Sequence, residues 1–441
     1  MWLPSFFKDT QLNILVFTTI IALLFSSIFF PACIADDGDE NEIFDEDTLQ
    51  HSLAKAEQWL IANLNEDGYF NYLYDPSSGT YSTSNNMIRQ LMASRVLAEM
   101  CQENVSLELL HQKNLDYIFT HWYREDNETG YIFYATKSKL GAMAMALRTL
   151  VYSPFFDEYQ SKATKLANCI LSLQNTDGSF EPWYIEPSYD YNADYLLTFY
   201  SGEALLSLVE LYIKTNNNTY LDAAILSQDF YVKRYVVDLV YNYYPAYVPW
   251  HTQSLNKLYQ ITENQIYADA VLILNDKLLE IQDVDGPLEY LGRFYNESTP
   301  QYGSPHSSSD AVYTEGLAYA YEIAVLINDT EHQQKYKDAI VLGAYNLVNL
   351  QYASSDEKID GAIRYHVDDD RMRVDTTQHT IDAFNKILDV SEGEWTANIA
   401  TLNEHPQESM DYMLWYIAGI GILSIVIIIF FITKQQEKSK K

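Results

Sequence analysis

Two glutamates occupy matching positions in two similar apolar segments of the chain. Glu203 lies in "FYSGEALLSLVELY" (residues 199–212), and Glu315 lies in "VYTEGLAYAYEIAVL" (residues 312–326). Two carboxyl groups can hydrolyse a glycoside when one donates a proton and the other activates water or attacks the sugar. An epimerase instead needs an acid and a base on opposite faces of a carbon next to a carbonyl or carboxylate. The competing interpretation is an acidic residue at a helix start, stabilised by the helix dipole.

Three further residues are candidates for acid–base chemistry. His251 follows Trp250 in "VPWHTQ", and Asp375 and His379 lie in "RMRVDTTQHTIDAF". An imidazole titrates near neutral pH, so either histidine could move a proton or bind a sugar. A structural role is as good an explanation for His251, and helix capping alone would explain Asp375.

Cations and aromatic rings complete the set of candidate ligand contacts. Arg89, Lys139 and Arg364 would suit a carboxylated or phosphorylated sugar, although ion pairs with neighbouring carboxylates explain them equally well. The chain has 37 tyrosines, whose rings offer a flat apolar face and a hydroxyl. The rings expected to contact a sugar are Trp183, Tyr200, Trp250 and Tyr313.

Most of these candidates fall on the second helix of successive predicted helix pairs. The first helices of the pairs begin near residues 48, 109, 159, 220, 267 and 336. The second helices carry small and apolar residues on more than one face, as buried helices do, and begin near residues 85, 138, 200, 250, 313 and 376. Strict alternation of six outer and six inner helices predicts an all-α (α/α)6 toroid of six helical hairpins over residues 46–390. In it, Glu203 and Glu315 would face each other across a central funnel.

An Asp-Gly turn recurs after the outer helices. "LQNTDGSF" (173–180) has counterparts at 63–70, 281–288 and 350–363. We expect the glycine to cap the outer helix in a left-handed conformation. The loops that follow are long and aromatic, notably 175–199 and 283–312. Because long loops in a compact domain are usually functional, the predicted site lies at the N-terminal ends of the inner helices.

Six such hairpins, with inner helices like those around Glu203 and Glu315, resemble the six-hairpin glycosidase-like superfamily. This group includes unsaturated glucuronyl hydrolases and sugar epimerases. The resemblance implies a glycoside hydrolase or a sugar epimerase that works through carboxylates at the inner-helix N-termini. No cofactor and no metal ligand are assigned from the sequence, and the use of a divalent ion stays open. It is a resemblance of pattern and includes no complete catalytic signature.

Two other helical toroids fit less well. "LQNTDGSF" is similar to a repeat of terpene cyclases, but the chain has no Asp-x-Asp-Asp motif, and "HVDDDR" (366–371) has the wrong order. A lanthionine-cyclase-like toroid needs a Cys/Cys/His zinc site. Cys101 and Cys169 lack the histidine spacing for such a site, although a disulfide between them stays open.

Apolar segments near both termini predict a membrane-anchored protein. The C-terminal run at 412–433 is long enough to span a bilayer. The basic tail at 434–441 follows it, which places the tail in the cytoplasm and the large domain outside. Residues 1–35 form a signal peptide or an N-terminal anchor. Acidic segments at 36–45 (a linker) and 391–411 (a juxtamembrane stalk) flank the toroid domain.

The charge and the glycosylation motifs agree with this location. The formal net charge is −33, from 61 acidic and 28 basic residues, which excludes nucleic acid as a partner. Five Asn-x-Ser/Thr motifs would be usable outside the cell, at Asn104, Asn127, Asn217, Asn296 and Asn328. The chain is therefore expected to be a membrane-anchored extracellular protein that acts on an oligo- or polysaccharide. The alternative is a non-catalytic glycan- or peptide-binding ectodomain, or a cell-envelope scaffold.

Overall fold

The computed structural model of the chain describes residues 43–238, 243–392 and 395–402. From Ile43 onward these residues form one compact unit. The predicted signal or anchor segment (1–35), the transmembrane helix (412–433) and the basic tail (434–441) lie outside the described residues, as does most of the acidic linker.

Twelve long helices in the described part of the chain alternate between an outer and an inner ring. The outer helices are α1 (Glu46–Ala62), α3 (Glu108–His121), α5 (Phe156–Ser172), α7 (Asn218–Val232), α9 (Gln265–Leu279) and α11 (Thr330–Asn349). The inner helices are α2 (Met87–Glu103), α4 (Leu140–Tyr152), α6 (Ala193–Thr215), α8 (Val248–Thr262), α10 (Ser307–Leu326) and α12 (Val374–Ser391). Each inner helix packs on the next, and α12 packs on α2, which closes the ring. The predicted (α/α)6 toroid is confirmed.

The inner helices are buried on nearly every side, as their composition predicts. In α4 every residue from Leu140 to Val151 is buried. Among the described helices, α6 is also long and apolar enough to span a bilayer, with a mean hydropathy of 1.3. Two thirds of that stretch (67%) is buried inside the toroid, so its apolar character is that of a core helix.

Short antiparallel strands tie neighbouring loops together on the rim. The pairs are β4 (Tyr123–Glu125) with β5 (Gly130–Ile132), β6 (Ser138–Lys139) with β7 (Trp183–Ile185), and β2 (Leu73–Asp75) with both β3 (Thr80–Tyr81) and β8 (Met372–Arg373). The last residues of β6 and β8 are Lys139 and Arg373. Backbone hydrogen bonds between adjacent loops therefore fix two cations at the mouth of the ring.

The folded unit is larger than the predicted 46–390. Strand β1 (Ile43–Phe44) pairs with β9 (Ala397–Asn398), and a short helix, α13 (Ile399–Leu402), follows. Trp395 is buried and packs edge-on against Tyr321 of α10. Part of the segment predicted as a stalk thus belongs to the fold. Single-turn helices complete the secondary structure, at Val105–Leu107, Lys233–Val237, Pro245–Tyr247 and Pro300–Tyr302.

Helices α6 and α10 begin about two turns earlier than predicted. The side chains of Asn192 and His306 cap them by accepting backbone N–H groups. Glu203 therefore lies ten residues, roughly 15 Å, beyond the start of α6, and Glu315 is similarly deep in α10. Because the dipole effect is confined to the first turn, helix-start stabilisation does not explain either glutamate.

The recurrent glycine turn has a different role from the predicted helix cap. The C-cap residue of α5 is Leu173, which has a right-handed helical conformation. Gly178 lies five residues further on and has a φ of +91°. A Cβ at Gly178 would be 2.4 Å from the carbonyl oxygen of Leu226 in α7. The turn therefore packs against α7, the next helix of the outer ring. Left-handed caps occur instead at Asn216, Glu263 and Glu392.

The same contact recurs around the ring. Three more glycines have a positive φ, and a Cβ added to any of them would lie within 2.6 Å of a carbonyl oxygen of an outer helix. They are Gly68, Gly292 and Gly361. In the third repeat the packing glycine is Gly292, whereas the sequence pattern indicated Gly286. Three of these turns begin with a glutamine whose side-chain amide donates to a backbone carbonyl of the outer helix that the turn contacts. These glutamines are Gln174, Gln282 and Gln351. The motif thus locks the outer ring.

We predict that Gly178→Ala lowers the free energy of unfolding by about 2–4 kcal/mol, because strain and a backbone collision combine. Gly79→Ala is the matched control: its φ is also positive (+67°), but a Cβ there meets nothing within 4 Å, so it should lose only about 1 kcal/mol. Urea unfolding of both variants measures the difference. Equal losses would show that the close approach is unimportant.

Candidate functional site

A pocket of about 440 Å³ opens among the N-terminal halves of the inner helices and the long loops before them. This is the face that the loop lengths predict. Eight of the twelve predicted catalytic and ligand-binding residues line it, namely Arg89, Lys139, Tyr200, Glu203, Trp250, Tyr313, Asp375 and His379. The loops that hold the aromatic side chains and the helices that hold the charged ones therefore converge on one cavity.

Glu203 is a buried carboxyl group on the pocket wall. It is 2% exposed, and its Oε2 atom has no hydrogen-bond partner among the residues that the structure describes. Burial raises the pKa of Glu203 to about 8, although the nearby charges of Arg148 and Lys139 act in the opposite direction. A Cβ on Gly141 would lie 2.2 Å from this oxygen, so a glycine on α4 makes room for the carboxyl. At neutral pH the group is mainly protonated and can donate a proton.

Asp375 is an ionised carboxylate, in contrast to the protonated carboxyl of Glu203. Its Oδ2 accepts from Arg89 Nε at 2.8 Å, and both of its oxygens accept from Arg373. Burial alone would raise the pKa of Asp375, but the two guanidinium groups outweigh burial and hold it far below its usual range. No side-chain cap is formed at the start of α12, so capping does not explain this residue. Asp375 orients Arg89, and its charge is already balanced.

Two cations face the pocket. Arg89 also donates to the hydroxyl of Tyr72 at 2.8 Å and is about one third exposed. The Nζ atom of Lys139 lies 5.8 Å and 5.9 Å from the ring centres of Trp183 and Tyr200. Within the described residues Lys139 forms no salt bridge, and burial lowers its pKa. Its charge is therefore available to an anionic ligand.

Two imidazoles line the pocket in the neutral form. Burial lowers the pKa of His306 and of His379 to about 4 in each case. The ring of His379 meets that of Trp250 edge-on at 6.0 Å. His306, which caps α10, is not among the residues predicted from the sequence. Its position directly after a proline and before three serines, at the end of a long loop, was the available signal.

Four predicted residues lie elsewhere. Trp183 is buried behind Lys139, and Arg364 donates to the carbonyl oxygen of Asn349 away from the pocket. Glu315 lines a second cavity, of about 700 Å³, among the C-terminal halves of the inner helices. The expected opposition of Glu203 and Glu315 across one funnel is therefore wrong, because the two line different cavities.

His251 is the fourth of these residues. It is 1% exposed, contacts Ser201 Oγ at 3.0 Å and lies among tyrosine rings. Burial lowers its pKa to about 3. These contacts are those of a structural histidine in the core.

The remaining predicted positions are compatible with their roles, which stay predictions. All five Asn-x-Ser/Thr asparagines are exposed, and Asn296 lies on the rim of the pocket. Cys101 and Cys169 are both buried and free. One group of three neighbouring metal-ligand side chains occurs in the described part of the chain, formed by Glu315, His379 and Asp382.

Comparisons with known proteins identify the fold. No family model matches the sequence, and no curated protein sequence matches it significantly. Similar solved structures include a D-mannose isomerase, with a TM-score of 0.58 and 11% identity over 78% of this chain and 97% of that one. An α-1,6-mannanase from a Salegentibacter species has a TM-score of 0.57 and 11% identity over 78% of this chain and 100% of its own.

A heparin-specific unsaturated glucuronyl hydrolase is a third similar structure, with a TM-score of 0.55 and 11% identity. The structural alignment covers 99% of that protein and 80% of this chain. The resemblance to the six-hairpin glycosidase-like toroid is thereby confirmed for the fold. At these identities the function rests on the site itself.

We predict that Glu203→Gln raises stability at alkaline pH and leaves it unchanged at acid pH. The folded-state pKa of Glu203 is raised to about 8 from 4.5, so folding loses stability as the pH rises from 4.5 to 8. The total is on the order of 5 kcal/mol. Glutamine is neutral throughout and avoids this loss. Chemical unfolding of the variant and the parent at pH 4.5 and pH 8.5 measures the difference in their free energies of unfolding.

The difference between the variant and the parent isolates Glu203 from the other buried acids. Glu66→Gln, at an exposed position, is the control and should leave the pH profile unchanged. Parallel profiles for Glu203→Gln and the parent would mean that Glu203 is ionised in the folded protein at neutral pH, which contradicts its assignment as an acid.

Proposed function

We propose that this protein is a carbohydrate-active enzyme, a hydrolase of glycans that carry a carboxylated sugar, with Glu203 as its proton donor. The observation that carries the proposal is the unpartnered, buried carboxyl of Glu203 on the wall of a pocket rich in tyrosine. A protonated acid next to a sugar-sized cavity is what cleavage of a glycosidic bond requires. The similar solved structures include enzymes that act on glycosidic bonds.

The charges of the pocket support an anionic substrate. The whole chain carries a net charge of −33, yet Arg89 and Lys139 point a positive potential into the cavity. The two pocket carboxyls do not cancel it, because Glu203 is neutral and Asp375 is already paired with two arginines. In this low-dielectric setting a sugar carboxylate would interact strongly with Lys139. Tyrosine rings can stack on the apolar faces of the sugar.

The pocket provides the proton transfers of hydrolysis. Glu203 gives its proton to the glycosidic oxygen as the bond between that oxygen and the anomeric carbon breaks. A water molecule adds to the anomeric carbon and gives a proton to a neutral pocket imidazole, His306 or His379. Return of that proton to Glu203 through solvent restores the site. Asp375 acts on the substrate indirectly, by holding Arg89 in place.

A sugar epimerase or isomerase is the second candidate. The observation in its favour is the pair of neutral imidazoles, because an imidazole with a lowered pKa can remove a proton from a carbon beside a carbonyl. Glu203 would then return a proton to the other face. Both reactions use the same acid, and they differ in whether a bond of the glycan is broken.

Proton NMR in D2O separates these candidates. The full-length chain in detergent micelles is mixed with uronic-acid-containing and with neutral oligosaccharides. We expect new reducing-end signals with the uronic-acid substrates, and a loss of rate of at least about 100-fold in Glu203→Gln because the proton donor is gone. Loss of a ring-proton signal without cleavage would establish the epimerase. Line broadening alone in every mixture would overturn the enzyme and indicate a binding protein.

Two lysine variants test whether the substrate carries an acidic sugar. Lys139→Met should weaken the reaction of uronic-acid substrates by at least about 10-fold in kcat/KM, because one desolvated charge pair is lost. Lys137→Met is the matched variant, since Lys137 contacts Tyr189 outside the pocket. If Lys139→Met has no greater effect than Lys137→Met, Lys139 does not bind the substrate.

The sequence also supports a membrane anchor, with the toroid domain outside the cell. The apolar run at 412–433 and the lysines of 434–441 carry this proposal. We expect the full chain to stay in the membrane fraction after a carbonate wash and a chain ending at Pro406 to be released. A sugar-removing glycosidase should increase its electrophoretic mobility if the exposed asparagines are glycosylated. Release of the full chain by carbonate would rule out the C-terminal anchor.

A further inference from the structure

Three metal-ligand side chains meet on two adjacent inner helices. His379 and Asp382 are three residues apart on α12 and so share a face, and Glu315 projects from α10, which packs beside it. One ligand atom from each of the three lies within 4.8 Å of the others. Each residue is between 5% and 7% exposed. The cluster lies between the two cavities, because His379 lines the first, and Glu315 and Asp382 line the second.

An unsatisfied atom in this cluster points to a ligand. Glu315 is only 5% exposed, and its Oε2 atom has no hydrogen-bond partner in the described part of the chain. A buried carboxylate oxygen without a partner is costly, and such groups are normally paired or bound to a metal. The ion pair of Asp382 with Arg95 and its hydrogen bond from Gln378 both involve one oxygen, Oδ2. Its carboxylate therefore has a second oxygen to offer.

The local charge is unbalanced in the same direction. Arg95 is the guanidinium shared by Glu99, Asp382 and Glu315. The neighbouring Arg148 is committed to Glu210 through two hydrogen bonds. Three carboxyl groups therefore lie around one guanidinium, and their oxygens outnumber the cations that pair with them. A divalent cation would have carboxyl oxygens available to bind it.

We propose that Glu315, His379 and Asp382 form a binding site for a divalent transition-metal ion of the Zn²⁺ or Mn²⁺ type. Two carboxylates and one imidazole are a ligand set that such ions accept, whereas Ca²⁺ and Mg²⁺ prefer oxygen alone. Ligand atoms around a tetrahedral zinc lie about 3.4 Å apart, so side-chain movements of roughly 1 Å bring the three atoms into range. The second cavity provides the path by which an ion enters.

The site adds to the pocket described above, and the proposal does not depend on the proposed function. His379 would present the ion to the wall of the first pocket, where the coordination positions not filled by protein could hold water or a substrate oxygen. With His379 bound to the ion, His306 is the pocket imidazole that remains able to accept a proton.

Metal content and titration of the full-length chain in detergent micelles test the proposal. After chelator treatment, Zn²⁺ and Mn²⁺ are each titrated by calorimetry, and the signal of bound Mn²⁺ is followed by electron paramagnetic resonance. We expect about one ion per chain and a loss of affinity of at least 100-fold in Glu315→Gln, which keeps the shape of the side chain and removes the ligand charge. Circular dichroism and thermal unfolding confirm that this variant is folded.

Glu103→Gln is the matched control. Glu103 is an exposed carboxyl that lines the same cavity but lies outside the cluster, so this variant should bind the ion as tightly as the parent. Equal affinity in the parent, Glu103→Gln and Glu315→Gln would mean diffuse attraction by an acidic surface and would overturn the proposal. No detectable binding in the parent would overturn it as well, and would indicate that protons balance the cluster.

Discussion

The structure depends on a layer of buried charge where the inner helices meet. Arg148 of α4 donates to both carboxylate oxygens of Glu210 in α6 at 2.7 and 2.9 Å, and Tyr152 donates to the same carboxylate at 2.8 Å. Arg95 of α2 adds an ion pair with Asp382 of α12. Removal of one partner of such a pair leaves an uncompensated buried charge and typically costs about 3–5 kcal/mol. The ring of helices therefore closes around ion pairs that must all be complete.

This layer divides the axis of the toroid into two cavities with different chemistry. On one side lies a pocket in which Lys139 is the prominent charge, and on the other lies a cavity whose lining has six acidic residues and two basic ones. Glu203 is buried on the wall of the first pocket, and burial raises its pKa to about 8. The charge of Arg148 in the layer acts in the opposite direction, so burial is the reason that this acid keeps its proton at neutral pH.

The sequence predicted the architecture because the alternation of amphipathic and uniformly apolar helices is a repeated, local signal. Eight of the twelve residues that it singled out line the pocket, and Arg89, Lys139 and Glu203 among them follow once the working face is known. It failed at the helix starts. Capping by Asn192 and His306 extends α6 and α10 through stretches that the pattern assigns to loops, and Glu315 lines the other cavity. Its role there depends on Arg95 and Asp382, which are distant in sequence, so no local pattern could reveal it.

The state of Glu203 also bears on the choice between an enzyme and a binding protein. A lectin-like pocket gains nothing from a carboxyl group that lacks a hydrogen-bond partner, because a glutamine of the same shape would bind sugar hydroxyls without the desolvation penalty of an ionisable acid. Proton donation does require such a group, and the desolvation penalty raises its pKa to the range in which it can donate a proton at neutral pH. Gly141 leaves the space that this carboxyl occupies, and Asp375, the other carboxyl group on the pocket wall, is paired with Arg89 and Arg373. The pocket therefore maintains one protonated acid near cations, an arrangement that destabilises the fold and that the proposed proton donation would account for.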